Sequence, residues 1–343
     1  MRINRKEIAR LVYPYAVSIF PLPGGPRVVI ATELKGECLS IAVDDLSREV
    51  IWRDMGGTMN ICQLNSEGEF LAVQEFYKGN NSKTACLAKV GRRGGEWITE
   101  RFFDLPFLHR FCLVETEGVK FLVISTLAKD KDNREDWSRP GSTYIMRLPE
   151  MAERPGELIP LIPEITKNHG MFKGRREGAN VVMVSGQEGL FEIRIPARAG
   201  DEWKYAKLLD REISDMVVCD LDGDGVEEII TLEKFHGARL AINRPSPDGW
   251  REIYSYPVDF GHALWAGNIL GRPGLLVGYR GANAALLLFR PNGWKDGALT
   301  MDIAVIDEHE APTNIDVLEK NGVCKIFNCS GAKNRVMLYE LSE

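Results

Sequence analysis

The chain has 343 residues, 44% hydrophobic and 27% charged, an ordinary globular mix with enough apolar material for a sizeable core. A net charge of −6 and a pI near 5.6 argue against nucleic acid or an anionic membrane as the main partner. Pairs such as Arg92-Arg93 and Arg175-Arg176 are too short to reverse that. The segment after Met1-Arg2-Ile3-Asn4-Arg5-Lys6 is not apolar enough for a secretion signal, and no run approaches the length of a membrane span. Seven cysteines with no CxxC pair or framework spacing predict a reduced, cytoplasmic protein.

Along the chain, one strand–turn–strand pattern recurs. The first copy runs from Val17 through the Pro23-Gly24-Gly25 turn to Val28-Val29-Ile30, and the second from Met59 through Glu67-Gly68 to Phe70-Leu71-Ala72-Val73. In the third, Trp97 after a polar turn leads to His109, then Phe111-Cys112-Leu113-Val114 and Phe121-Leu122-Val123-Ile124. The charged, Trp-containing insertion 129–139 follows, with the length and polarity of either a lid or a disordered loop. The fourth copy runs from His169 through Glu177-Gly178 to Val181-Val182-Met183-Val184. Trp203 and Trp250 open the fifth and sixth, followed at the same distance as in the third by Asp215 and His262. After Trp294, the seventh copy runs from Thr313 through Asn321-Gly322 to Lys325-Ile326-Phe327. No sustained 3.6-residue periodicity interrupts the series.

Seven such units predict an all-β fold, a single seven-bladed β-propeller of four-stranded antiparallel blades spanning 1–343. The last copy offers only three strands, at 315–319, 323–328 and 336–341. The segment 8–13 precedes the first copy as the Trp-led strands precede theirs. The N-terminal region is therefore expected to supply the outermost strand of the last blade and cover an exposed edge.

The turn Asp220-Leu221-Asp222-Gly223-Asp224-Gly225-Val226-Glu227-Glu228 resembles the acidic turn of FG-GAP/VCBS propeller repeats. Alternate carboxylates on a Gly-containing turn suit a hard cation, so Asp220, Asp222, Asp224 and Glu228 are candidate ligands for structural calcium; a solvated hairpin is the alternative. His262-Ala263-Leu264-Trp265-Ala266-Gly267-Asn268, followed by Leu276-Val277-Gly278-Tyr279-Arg280-Gly281, resembles a blade of the propeller domain in the aldos-2-ulose dehydratase group. That resemblance implies β-elimination of water from keto-sugars.

The five histidines map to one face, where inner strands begin and second-to-third-strand turns emerge. His109, His169 and His262 open inner strands in copies three, four and six, and Asp215 takes that place in copy five. Imidazole and carboxylate suit Zn²⁺, Mn²⁺, Fe²⁺ or Ni²⁺, which makes these four the expected metal ligands. The register of His169 rests on matching 169–174 with 262–267, and a one-residue slip there would turn its side chain to the other side of the strand. His236, Tyr279, Arg280 and His309 fall on the same face as candidate acids, bases or oxyanion holders, together with Glu33, Glu75 and Glu188. The expected function is a carbohydrate-active lyase or dehydratase on a small sugar substrate. A sugar isomerase or epimerase would use the same enolate chemistry, and a non-catalytic glycan- or protein-binding propeller with structural calcium is the other alternative.

Overall fold

Each apolar run flanked by turns becomes one strand, and the strands assemble into seven four-stranded antiparallel sheets. The computed structural model describes residues 1–77, 79, 82–149 and 154–343. Blades one to six follow the chain, opening with inner strands Pro14–Phe20, Ile61–Gln63, Leu108–Thr116, Gly170–Arg176, Asp215–Cys219 and Gly261–Ile269. The inner strand of each blade touches that of the next all the way round, including Pro312–Lys320 of blade seven against Pro14–Phe20 of blade one. Among the described residues the one helical element is a short 3₁₀ turn, Gly331–Lys333.

The second strand of each blade is buried on both sides, and its alternating side chains enter different interfaces. Val28 and Ile30 pack against blade seven, while Val29 and Ala31 pack against blade two. Phe70 and Ala72 face blade one, while Leu71 and Val73 face blade three. Val182 and Val184 face blade three, while Val181 and Met183 face blade five. This is why these strands read as continuous apolar runs rather than as alternating ones. Every interface around the ring has its own apolar cluster, so no blade face is left to solvent.

The ring closes as expected, through a strand from the other end of the chain. Arg2–Arg10 pairs antiparallel with Arg335–Ser342 from Arg2↔Ser342 to Arg10↔Arg335, making it the outermost strand of blade seven. The pairing lies N-terminal of the expected 8–13, and Ile8, Ala9 and Leu11 enter the cluster between blades seven and one. Polar side chains also pin neighbouring inner strands together. Asn60 Oδ1 accepts the Phe111 N–H of blade three at 2.9 Å, and Asp316 Oδ2 accepts the Ile19 N–H of blade one at 2.8 Å. Burial pushes the Asp316 carboxyl up to about 6, against the two backbone N–H groups it accepts.

Two outcomes are expected. Ile8→Ala should lower unfolding stability by about 2–5 kcal/mol in urea titration, because the clasp loses its buried anchor. For Asp316 the folded pKa lies above the unfolded one, so its contribution is fully present below about pH 4 and lost as pH rises through 6. The stability difference between wild type and Asp316→Ala should therefore shrink by about 2–3 kcal/mol from pH 4 to 7. A difference that stays flat over this range would contradict the assignment.

Candidate metal centre at the channel mouth

Where the inner strands begin, each blade places one residue at a common register, in blade order Tyr15, Met59, His109, His169, Ser214, His262 and Thr313; all but Ser214 and Thr313 line the pocket at the channel mouth. In blades one, three, six and seven this residue is extruded by a β-bulge, as at Leu108/Arg110 and Gly261/Ala263. Blade five pairs Asp215 directly with Leu232, and the Ser214 N–H donates to the Leu232 carbonyl as the His169 N–H does to that of Ser185. The residue at the histidine register in blade five is thus Ser214, and Asp215 lies one position further along the strand. Spacing from the preceding tryptophan does not register a bulge, which accounts for the one-residue difference from expectation.

The collar brings His169 and His262 together, and His236 completes the group from the second-to-third-strand turn of blade five. One ring nitrogen from each of these three lies within 4.8 Å of the others. His109 stands beside the group with its ring centroid 4.7 Å from that of His169, but outside the three-nitrogen convergence. Backbone carbonyls set the tautomers. His169 Nδ1 is 2.9 Å from the Ser214 carbonyl and His262 Nδ1 is 2.7 Å from the Thr313 carbonyl. A carbonyl can only accept, so both Nδ1 atoms carry the proton and both Nε2 atoms carry a lone pair, that of His169 without a hydrogen-bond partner and that of His262 facing the Tyr15 hydroxyl. The Ser214 hydroxyl also accepts the backbone N–H of His236 at 3.1 Å, so one serine holds the His169 ring and the turn that carries His236. His236 stacks between Phe235 and Phe260, at 4.0 and 4.7 Å between centroids.

Burial is the first cause of the low proton affinity of all these rings. It holds His109, His169 and His262 well below the ordinary histidine range and His236 at about 3, with nearby Arg110 and Arg280 adding to the effect. The imidazoles are neutral at physiological pH, the form that ligates metals. His169 Nε2 is fully buried and has no hydrogen-bond partner. A polar atom left in that state is destabilising by about 1–3 kcal/mol unless something occupies the space before it. Zn–N bonds of about 2.0–2.1 Å place ring nitrogens about 3.3 Å apart, so small side-chain rotations would complete a site. The donor set fits a transition metal.

Tyr15 flanks the group from blade one, its hydroxyl 3.4 Å from His262 Nε2, and burial pushes its phenol up to about 12. The sequence offered no sign of it, because a tyrosine in an apolar strand looks like core. The surrounding pocket holds about 340 Å³, at the small end of ligand sites. Glu33 and Arg280 line it; Arg280 donates to the Tyr13 hydroxyl at 2.9 Å and lies 5.2 Å over the Phe260 ring. The insertion 129–139 forms one wall, contributing Arg134, Glu135 and Trp137. It is held by Arg139, which pairs with Asp130, Asp132 and Asp136, and by the buried Lys131 ammonium 3.2 Å over the Trp137 ring.

Other expected residues lie elsewhere. Tyr279 and His309 line a separate hollow on blade six with Tyr256, Ile303 and Val305. Glu75 pairs with Arg101, and Glu188 accepts the Thr166 N–H. Half-buried Asp215 has its carboxyl raised to about 6 by desolvation, opposed by Arg110. The acidic turn joins the first two strands of blade five and so sits at the opposite end of the blade from the histidines. Asp220 accepts the N–H groups of Gly223 and Gly225, whose φ values of 78° and 89° require glycine. Arg244 reaches into the same turn and pairs with Asp222, Asp224 and Glu228, while Trp294 donates to Asp222.

No protein-family model matches the chain, and no curated protein matches it. Among solved structures it is similar to a chain in the crystal structure of the mitotic checkpoint complex. The TM-score is 0.62 at 8% identity, covering 99% of this chain and 94% of that one. At that identity the likeness shows the propeller fold alone. No helix among the described residues is long and apolar enough to cross a membrane.

Arg139→Ala should release the wall formed by 129–139. Tryptic cleavage after Lys131 and Arg134 is expected to be slow in wild type and rapid in the variant under native conditions, with the rest of the ring intact on a gel. Equal cleavage rates would contradict the stapling.

Proposed function

We propose that this propeller is a carbohydrate-active lyase or dehydratase, acting by β-elimination on a keto-sugar or sugar derivative at the channel mouth. His169, His236 and His262 would hold a divalent transition metal there. The observation that carries this reading is the buried, unpartnered Nε2 of His169 among three ring nitrogens within 4.8 Å of one another. Zn²⁺, Mn²⁺, Fe²⁺ and Ni²⁺ all accept such a set. Bound there, the metal would polarise the sugar carbonyl and make the adjacent C–H acidic.

With His236 taken as a ligand and Tyr279 outside the pocket, acid–base work falls to the two groups that flank the triad. His109, neutral through burial, is the base that takes the α-proton. Tyr15, protonated through burial, donates to the leaving β-oxygen. As the C–O bond breaks and the C=C bond forms, a departing hydroxyl takes that proton and leaves as water. An isomerase or epimerase would share the abstraction step and return the proton to carbon. The sequence resemblance to the aldos-2-ulose dehydratase group, within the FG-GAP/VCBS-like set, supports the reaction class.

The acidic turn is read as neutralised by Arg244, with calcium as the alternative occupant. Seven free cysteines fit a reducing, cytoplasmic setting. The second reading is a non-catalytic binding propeller, favoured by the similar solved propeller, which belongs to a protein assembly.

Elemental analysis of protein purified without added metal or a histidine tag separates them. The expected result is a stoichiometric transition metal in wild type, lost in His262→Ala, with keto-sugar elimination followed by absorbance of the conjugated product. Calcium alone, or no metal in either protein, would sink the metal-assisted lyase and promote the binding reading.

A further inference from the structure

The charges around the pocket show what sort of sugar it is built for. On a chain of net charge −6, the described lining residues carry three cationic side chains, Arg134, Lys167 and Arg280, against two acids, Glu33 and Glu135. Two of these cations are locally answered: Arg134 faces Glu135 at 3.6 Å, and Lys167 pairs with Glu212 at 2.9 Å. Arg280 is not. Among the described residues no carboxylate lies within 4 Å of its guanidinium, and its side chain makes one hydrogen bond, to the Tyr13 hydroxyl. Among the other buried or half-buried arginines of the ring, Arg176, Arg211, Arg244 and Arg335 pair with a buried glutamate, while Arg27, Arg110 and Arg290 reach backbone carbonyls; Arg280 differs from these three in lining the pocket with its guanidinium beside the histidine group.

Arg280 is also held in place. Its guanidinium lies over Phe260, and Phe260 is nearly parallel to His262, 8° between planes at 6.3 Å. The fork thus sits at the pocket mouth beside the histidine group, with donors unused. A planar guanidinium with free N–H groups matches a carboxylate in a way that a neutral hydroxyl does not. Phe260, Phe235 and Trp137 also line the pocket and add apolar surface to it.

We infer that the ligand is an acidic sugar, its carboxylate bound by Arg280 while its ring lies toward the histidine group. This deepens the proposed function and rests on it for the reaction, but the anion subsite stands on Arg280's own surroundings.

The test is calorimetric titration of D-glucuronate, D-glucose and D-glucose 6-phosphate into wild type, Arg280→Gln and Arg280→Lys, each stripped with chelator or loaded with Mn²⁺. Melting temperatures and Mn²⁺ affinity of each variant are measured alongside. The expected result is that glucuronate binds wild type most tightly, loses about tenfold or more in Arg280→Gln, and is partly restored in Arg280→Lys. Glucose affinity, Mn²⁺ affinity and melting temperature should stay unchanged. Equal binding of glucuronate and glucose, no saturation by glucuronate at millimolar concentration, or no effect of Arg280→Gln would overturn the inference. A preference for the 6-phosphate would overturn the carboxylate in favour of a phosphosugar. Mn²⁺ binding without glucuronate selectivity leaves the metal reading standing and removes this one; selectivity in protein that binds no Mn²⁺ does the reverse.

Discussion

The fold depends on strands that are apolar on both sides. A blade whose second strand offers Val28 and Ile30 to one neighbour and Val29 and Ala31 to the other is stable only when both neighbours are present. Seven such blades satisfy each other by forming a circle, and the circle is complete only when its two ends meet. Pairing of Arg2–Arg10 with Arg335–Ser342 joins them covalently distant but hydrogen-bonded, and covers the edge that three strands alone would expose. The site follows from that closure, because a closed ring forces the starts of seven inner strands to converge on one narrow mouth.

Convergence brings the collar residues together, but β-bulges and carbonyls decide their usefulness. The bulge that extrudes His262 turns its ring toward the channel, and the next blade's Thr313 carbonyl fixes its Nδ1 proton. The Ser214 carbonyl does the same for His169, and its hydroxyl anchors the turn that carries His236. His169 and His262 are therefore each oriented by the blade that follows, so this pair is a property of blade-to-blade packing. His236 comes from a different part of its blade and joins because Phe235 and Phe260 leave its ring one place to lie.

The two ends of blade five handle charge in opposite ways. At one end Arg244 compensates three carboxylates within the protein itself. At the other, neutral imidazoles, an unanswered guanidinium and an orphaned ring nitrogen leave donor and acceptor capacity pointed into a cavity. The first arrangement is balanced by an arginine of the protein itself, although Asp220, Asp222 and Asp224 also offer oxygens within 4.8 Å of one another; the second has no such internal counterpart to the His169 ring nitrogen.

Repeat count, strand order, the clasp and the approach of four of the five histidines to the channel mouth were legible in the sequence, because each rests on local signals: turn glycines, apolar runs and spacing from tryptophan; His309 lines a separate hollow. His169 and His262 were also found this way. The identity of the third imidazole was not, since it depends on whether His109 or His236 points at the other two, which is set by side-chain packing. Spacing chose Asp215 where the register holds Ser214, because a bulge adds a residue that spacing does not see. Neither Tyr15 nor Arg244 stands out in the sequence, because their partners, His262 and the acidic turn, are brought beside them only by the fold. Sequence determined the ring, since periodic burial is written residue by residue. Only the tertiary structure decided the site, because its geometry arises between blades, from atoms far apart in the chain.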